Sequence, residues 1–312
     1  MAPTNRVGRR EEWAAPWRLG ILSSSGGGGA PNTATITEAT AAVLAALFGV
    51  RRLRTAYTGP VLQLQRKADG VVADFADPAH NGALFTNDAN ATPVAAWLGG
   101  STAGVTIWYD QSRDANGAHA KGPVTTYGLP QYDCSATTQA TAPAYLPALQ
   151  FDMSPLQIAN GAVPYGNGAY TMIVHQGTPD TLPGQWTVFS LGNNSSSYRL
   201  NYLGIFNDGS ILQTWWGGTN LTVSGGCSGR GYVLLNGYSG GVRTIMVNGV
   251  RVANISGDGS RNQVNGPNYI GMFANTHFYT GRVYAMAYST VDLTNDANAA
   301  PRADLTAALS GK

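Results

Sequence analysis

The sequence predicts an all-β protein, and three observations lead there. Short apolar, β-branched or aromatic runs recur along most of the chain, bounded by Gly, Pro, Asn and Asp. The 312 residues include 40 glycines while only 12% are charged, which suits many short strands joined by tight turns. Val242 to Ile255 has the outline of a hairpin: two alternating runs flank Asn248-Gly249, the favoured two-residue type I′ turn.

Residues 1–32 read as an N-terminal arm. They hold a mixed charge cluster (Arg9, Arg10, Glu11, Glu12) and then the linker-like run Ser23 to Gly29. Trp13, Trp17 and Leu19 are candidate anchors for this arm, either on a neighbouring subunit or folded back on its own domain. No signal peptide is expected there, because no apolar run follows Arg6 to Arg18.

Thr37 to Phe48 reads as a helix: Thr37 can cap it, and the Ala- and Leu-rich run Ala41 to Leu47 has strong helix propensity. Pro93 to Leu98 reads as a second short helix, stopped by Gly99-Gly100. Val61 to Arg66 alternates apolar and polar residues, and Val105 to Tyr109 is a β-branched and aromatic run ending at Asp110; both are expected strands. Beyond Gly122 the pattern is strand and turn, with strands expected near 149–152, 170–176, 187–191, 198–202, 211–215, 232–236, 242–247, 251–255, 269–272 and 281–289. A last short helix is expected over Pro301 to Leu309, with Pro in its first turn and Gly311 beyond its end. The expected layout is therefore an arm at 1–32, one β-domain at 33–300 and a helical tail at 301–312.

A formal net charge of +2 gives no argument for nucleic acid as a partner, and no run approaches the length of a membrane span. Cys134 and Cys227 are the only cysteines, read either as buried hydrophobes or as a bridge. The four histidines show no metal-ligand spacing, and no cofactor is expected. Ca²⁺ is the one ion considered: Asp258, Asn262 and Asn265 offer hard oxygen ligands in a Gly-rich loop, although turn chemistry explains them equally well.

Two segments resemble a known family. Leu62-Gln63-Leu64-Gln65-Arg66, followed by Tyr109-Asp110-Gln111-Ser112, Asn116-Gly117 and His119, resembles the catalytic domain of fungal and bacterial α-L-arabinofuranosidase B. The resemblance is sharp over about 53–120 and looser to about 290. It implies a concanavalin-like two-sheet β-sandwich, a jelly roll, here with a short N-terminal helix, an extended N-terminal arm and a short C-terminal helix. The Asn248-Gly249 hairpin is also similar to those of laminin-G-like sandwiches. The family implies a Glu nucleophile on a central strand and an Asp acid/base at a Gly-rich strand end. The only glutamates here are Glu11, Glu12 and Glu38; Leu203 to Gly217 carries Asp208 but no Glu, and Asn275 stands where the acid is expected. An amide cannot exchange the catalytic proton at a useful pKa, so both catalytic positions read as missing. Asp110 resembles a structural Asp that caps its own loop.

Aromatic residues are the stronger lead to a ligand. Trp215, Trp216, Tyr198, Tyr202 and Tyr279, with Asp208, Asn275 and His277 as hydrogen-bonding neighbours, form a candidate glycan-binding set. On an alternating strand Trp215 and Trp216 face opposite sides, so at most one is a platform; the other reading makes both core or interface aromatics. The expected function is a non-catalytic structural or surface protein of a larger assembly, of the virion decoration, minor capsid or tail type. Its expected partners are other subunits through residues 1–31 and a glycan, and its expected place is a virion or extracellular surface assembly. The alternatives are an arabinofuranosidase-like glycoside hydrolase with a relocated carboxylate pair (Asp208 with Asp110 or Asp152) and a stand-alone carbohydrate-binding module.

Overall fold

A computed structural model describes residues 33–113, 119–124, 127–134, 147–159, 163, 165–177, 185–192, 200–206, 210–215, 220–224, 232–256, 266–273 and 277–310, with the backbone alone at 185, 186, 200, 202, 214, 215, 232 and 310. Helix α1 (Glu38–Ala41) leads into strands β1 (Leu44–Gly49), β2 (Leu62–Arg66), β3 (Val72–Ala76) and β4 (Phe85–Thr86). Helix α2 (Val94–Leu98) precedes β5 (Ala103–Trp108), β6 (Ala120–Lys121), β7 (Gln131–Asp133), β8 (Ala148–Asp152) and β9 (Leu156–Ile158). Then come β10 (Tyr170–Gln176), β11 (Gln185–Gly192), β12 (Leu200–Phe206), β13 (Ile211–Trp215), β14 (Leu221–Val223), β15 (Tyr232–Ser239), β16 (Val242–Val247) and β17 (Val250–Ile255). The chain finishes with β18 (Asn268–Ile270), β19 (Met272–Phe273), β20 (His277–Phe278), β21 (Thr280–Ser289) and helix α3 (Ala299–Ser310).

The protein is nearly all β, built on one large antiparallel sheet. Strands β17, β16, β15, β10 and β21 follow one another in the ladder. The long β21 then pairs on its other side with β1 through 285–289 and with β8 through 280–283. From β8 the sheet continues through β7, β5, β2, β3 and β4. At its other end β5 pairs with β6, and β9, β18, β11, β12, β13 and β14 follow. Strand β14 comes to lie against β17, so the sheet curls round until it is nearly a barrel.

The inward face is largely apolar: Leu62, Leu64, Phe75, Trp108, Ile158, Phe189, Leu203, Ile245 and Met286 belong to one continuous buried cluster. It also encloses a buried polar group, in which Arg243 donates to Gln213 Oε1, Gln213 Nε2 donates to Asn201 Oδ1 (2.9 Å) and the Tyr170 hydroxyl donates to Asn236 Oδ1 (3.2 Å). A smaller second core lies outside the sheet. There Ile173, Leu235, Ala285 and Ala287 pack against Ile36, Leu305, Ala308 and Leu309, so α3 and the segment leading into α1 cover that face. Thr37 and Asp304 tie the start of α1 to α3, the Thr37 N–H and hydroxyl both donating to Asp304 Oδ2 at 2.8 and 2.9 Å.

One expected helix is corrected. Only Glu38–Ala41 is helical, and Leu44–Gly49 is strand β1, buried along its whole length beside β21. A run with apolar side chains all round fits a strand sandwiched between two cores better than an isolated helix, so packing overrides the Ala/Leu propensity. Most other local readings agree with the structure. The strand expected over 269–272, however, is broken at Gly271, whose positive φ (83°) sends Met272–Phe273 into a separate hairpin, and the strand expected at 198–202 is described from Leu200 to Phe206. Gly99 ends α2 in the left-handed region (φ 56°), and Asn248 and Gly249 both have positive φ (49° and 82°), as a type I′ turn requires. The arm at 1–32, Cys227 and the loop holding Asp258, Asn262 and Asn265 lie outside the described residues. Cys134 is a half-buried free thiol packed against the main core.

Candidate functional site

Directly opposed residues of an antiparallel pair share one face of the sheet. Applied strand by strand, this register builds a continuous outer row: Asp74, Gln63, Ile107, Lys121, Gln157, Tyr269, Ser190, Tyr202, Thr214. Their chain neighbours Phe75, Leu62, Trp108, Ala120, Ile158, Ile270, Phe189 and Leu203 all point into the main core. Alternation therefore places a set of amides, hydroxyls, a carboxylate and a cation along the outer surface.

The Asp74 end of this row is fixed by hydrogen bonds. Thr106 Oγ1 donates to Gln63 Oε1 (2.9 Å), Gln63 Nε2 donates to Asp74 Oδ1 (3.0 Å), and the Tyr109 hydroxyl donates to the same oxygen (2.7 Å). Thr106 occupies a bulge in β5 opposite Gln63, which turns its side chain toward this chain of bonds. Burial, reinforced by the hydrogen bond to Asp74 and its charge, pushes the Tyr109 hydroxyl well above the usual range, so it remains a proton donor to Asp74. The Tyr109 ring meets His119 edge-on at 4.8 Å. His119 Nδ1 accepts from the Asp110 backbone N–H (3.1 Å), which leaves the proton of the neutral ring on Nε2. Burial lowers the His119 pKa and Lys121 adds to this, against an opposing pull from Asp110.

The β11–β13 end is covered. Ser190 Oγ donates to the Met272 carbonyl (2.7 Å), which brings the β19–β20 hairpin over β11, and Phe273, Leu212 and Phe206 close into a small apolar cluster. Fixed hydroxyl and amide groups beside tyrosine rings suit the recognition of a hydroxyl-rich ligand. Hydrolysis of a glycoside needs two carboxyl groups across the bond, and the row itself contributes Asp74.

Of the residues singled out in the sequence, Tyr202 falls on the row by register and Trp215 ends β13 opposite Asn201, with only the backbone of Tyr202 and Trp215 described. His277 is half-buried in β20 with its ring 5.5 Å from Phe273. Tyr279 is corrected as a surface platform: it is fully buried, its ring against Phe151 and its hydroxyl donating to the carbonyls of Gly177 and Arg282. A phenol whose O–H reaches backbone carbonyls can bury its whole ring without leaving a polar group unpaired. Tyr198, Asp208, Trp216 and Asn275 lie outside the described residues, as do Trp13, Trp17 and Leu19.

Asp110 is corrected as a candidate partner for Asp208. It is fully buried and accepts the backbone N–H groups of Leu47 and Ser112, each at 2.8 Å, which is the loop-capping role its sequence context implied. Asp152 is exposed at the end of β8. Among the described residues no group of three or more His, Cys, Asp or Glu is placed to hold a metal ion, and no helix is long and apolar enough to cross a membrane.

Sequence reasoning passed over Asp74, Gln63, Lys121, Gln157 and Tyr269. The available signal was the alternation in Leu62–Arg66, which puts Gln63 and Gln65 on one polar face; the other members are joined only by long-range register.

No protein-family model matches the sequence. Over 66 residues the chain is 42% identical to α-L-arabinofuranosidase B of Penicillium canescens, a homologous stretch that makes up 21% of this chain and 13% of that protein. Among solved structures it resembles an arabinofuranosidase complexed with arabinofuranosyl-α-1,2-xylobiose, with a TM-score of 0.64 at 14% identity. It also resembles a mutant GH54 α-L-arabinofuranosidase soaked with 4-nitrophenyl α-L-arabinofuranoside, with a TM-score of 0.62 at 13% identity. In both cases 85% of this chain is covered but only 63% of the other, so the chain spans less than two thirds of the length of the proteins it matches. The fold is thus that of the GH54 arabinofuranosidases. This overturns the expectation of a structural or surface protein of a virion-like assembly, since both the local homology and the fold lead to glycoside hydrolases.

Proposed function

We propose that the protein is a glycoside hydrolase of the arabinofuranosidase type, acting on α-L-arabinofuranosyl groups of a larger glycan. The observation that carries this reading is the coincidence of the 42%-identical stretch with a fold similarity extending over 85% of the chain. The nearly closed sheet fits a concanavalin-like two-sheet jelly roll: its inner faces meet in one largely apolar core, and its outer row is mostly polar. No Glu follows Glu38 in the sequence, and Glu38 is engaged by Arg54 at 2.6 Å on α1. Glu11 and Glu12 precede the β-domain in the sequence, so on this reading the nucleophile is an aspartate, and Asp208, between β12 and β13, is the one in the segment that resembles the family's nucleophile strand.

A second reading is a glycan-binding protein of the same fold without hydrolysis. It draws on the Leu212, Phe206 and Phe273 cluster, which fills with apolar side chains the outer face of the strands flanking Asp208.

Incubation of the purified chain with 4-nitrophenyl α-L-arabinofuranoside separates the two. Release of 4-nitrophenol that is lost in Asp208→Asn supports the hydrolase. Saturable binding of arabinofuranosyl-xylobiose without release supports the second reading and overturns the first. Neither release nor binding overturns both.

A further inference from the structure

A second outer row diverges from the first at β2 and β5. Here Val72 faces Gln65, Gln65 faces Gly104, Gly104 faces Gln131, Gln131 faces Gln150, and Gln150 faces Arg282. The row thus runs over β3, β2, β5, β7, β8 and β21, away from the strands that lead to β12 and β13. A groove of about 510 Å³ runs along this row, with Gly104, Gln65, Gln131, Gln150, Lys67 and Asp152 among its walls. That volume is within the roughly 300–1,000 Å³ typical of small-molecule sites. Gly104 makes room for the Leu129 side chain, which also lines the groove: a Cβ at Gly104 would lie 2.7 Å from the Leu129 Cβ.

We propose that this groove is a binding site for a neutral oligosaccharide, separate from the proposed hydrolytic centre. Two features define the ligand class. The first is hydrogen-bonding character. Gln65 and Gln131 each offer a carbonyl acceptor and an NH₂ donor, which matches hydroxyl groups that both give and accept, while Gln150 Nε2 donates to the Phe151 carbonyl (3.2 Å). The second is charge balance. Arg66 also lines the groove, but its guanidinium is taken up by Asp69 at 2.7 Å, by the Trp97 carbonyl, and by stacking 4.9 Å over the Trp97 ring. That leaves Lys67 and Asp152, one charge of each sign, so the walls select neither an anion nor a cation. Leu129 supplies aliphatic contact for the C–H faces of a sugar. Without an aromatic platform among the described lining residues the affinity is weak.

The test uses the full ¹⁵N-labelled chain, titrated with xylotriose and followed by backbone amide shifts. The expected result is saturable shifts at Gln65, Gln131, Gln150 and Asp152, with at least tenfold weaker binding in Gln131→Ala and in Gln65→Ala. Gln131 is exposed and Gln65 half-buried, so circular dichroism of both variants should match wild type. No saturable shift at these amides, or an unchanged response in both variants, overturns the proposal. So does a tighter response to trigalacturonate, which would make the groove an anion site. Both variants should hydrolyse 4-nitrophenyl α-L-arabinofuranoside at the wild-type rate. Groove shifts in a wild-type chain that shows no hydrolysis would sink the hydrolase reading and leave this one standing.

Discussion

Asp110 Oδ1 accepts the backbone N–H of Leu47 at 2.8 Å, joining the loop after β5 to the middle of β1. Its neighbour Gln111 makes the same kind of link. Gln111 Oε1 accepts from the Leu53 N–H (2.8 Å), while Nε2 donates to the carbonyls of Gly49 (3.2 Å) and Arg51 (3.0 Å). The Tyr109-Asp110-Gln111-Ser112 motif is therefore a staple: buried side chains satisfy the backbone where β1 ends and turns away from the sheet. Asp110→Ala would strand the Leu47 and Ser112 N–H groups in the core. At roughly 1–3 kcal/mol for each unsatisfied buried donor, a loss of about 3 kcal/mol is expected from urea denaturation, with an unchanged m-value.

His175 gives a stability that depends on pH. It is fully buried on β10, 4.7 Å from the Tyr284 ring, and burial draws its pKa down to about 4. An unfolded histidine titrates near 6.5, so between these values the unfolded chain binds the extra proton. Stability is complete above pH 6.5 and is lost as pH falls toward 4, by about 3 kcal/mol in all. His80 and His119, also lowered by burial, act in the same direction. Denaturation midpoints measured across this range should fall for wild type and stay much flatter for His175→Leu.

Gly237 on β15 has no room for a methyl group. A Cβ there would lie 2.2 Å from Asp292 Oδ1 and 2.6 Å from both Oγ1 and Cγ2 of Thr294. The same Asp292 oxygen accepts the Thr294 N–H (2.9 Å) and hydroxyl (2.6 Å), holding the turn that leads into α3. Gly237→Ala must push this turn outward. Overpacking of this kind costs about 1–3 kcal/mol, which calorimetry should register as a lowered Tm.

Tyr109→Phe removes the hydroxyl from Asp74 and leaves the ring against His119. A charge-assisted hydrogen bond at a half-buried site is worth about 1–2 kcal/mol. A loss in that range is expected from chemical denaturation, and it should be smaller in an Asp74→Asn background, because the variant amide is a weaker acceptor.

What could be read in the sequence follows the range of the interactions involved. The Asn248-Gly249 turn, the Gly99 cap of α2 and the alternation in Leu62–Arg66 are local, so the residues themselves specify them. The Leu44–Gly49 strand was hidden because helix propensity is a property of the run alone, whereas its burial depends on β21 and α3, more than 200 residues away. The outer row was hidden for the same reason. Asp74, Gln63, Lys121, Gln157 and Tyr269 become neighbours only through ladder register, which a bulge opposite Gln63 shifts by one residue. Tyr279 misled because a tyrosine in a Gly-rich, strand-dense region looks the same whether its ring faces solvent or the core.

Free arabinose released from an arabinofuranosyl-substituted xylo-oligosaccharide, wild type against Asp208→Asn, is the measurement to make first. Release by wild type and loss of at least a hundredfold in the variant would establish an arabinofuranosidase that uses an aspartate where its relatives are expected to use glutamate. No release by a wild-type chain whose folding is verified by circular dichroism would contradict the hydrolase assignment.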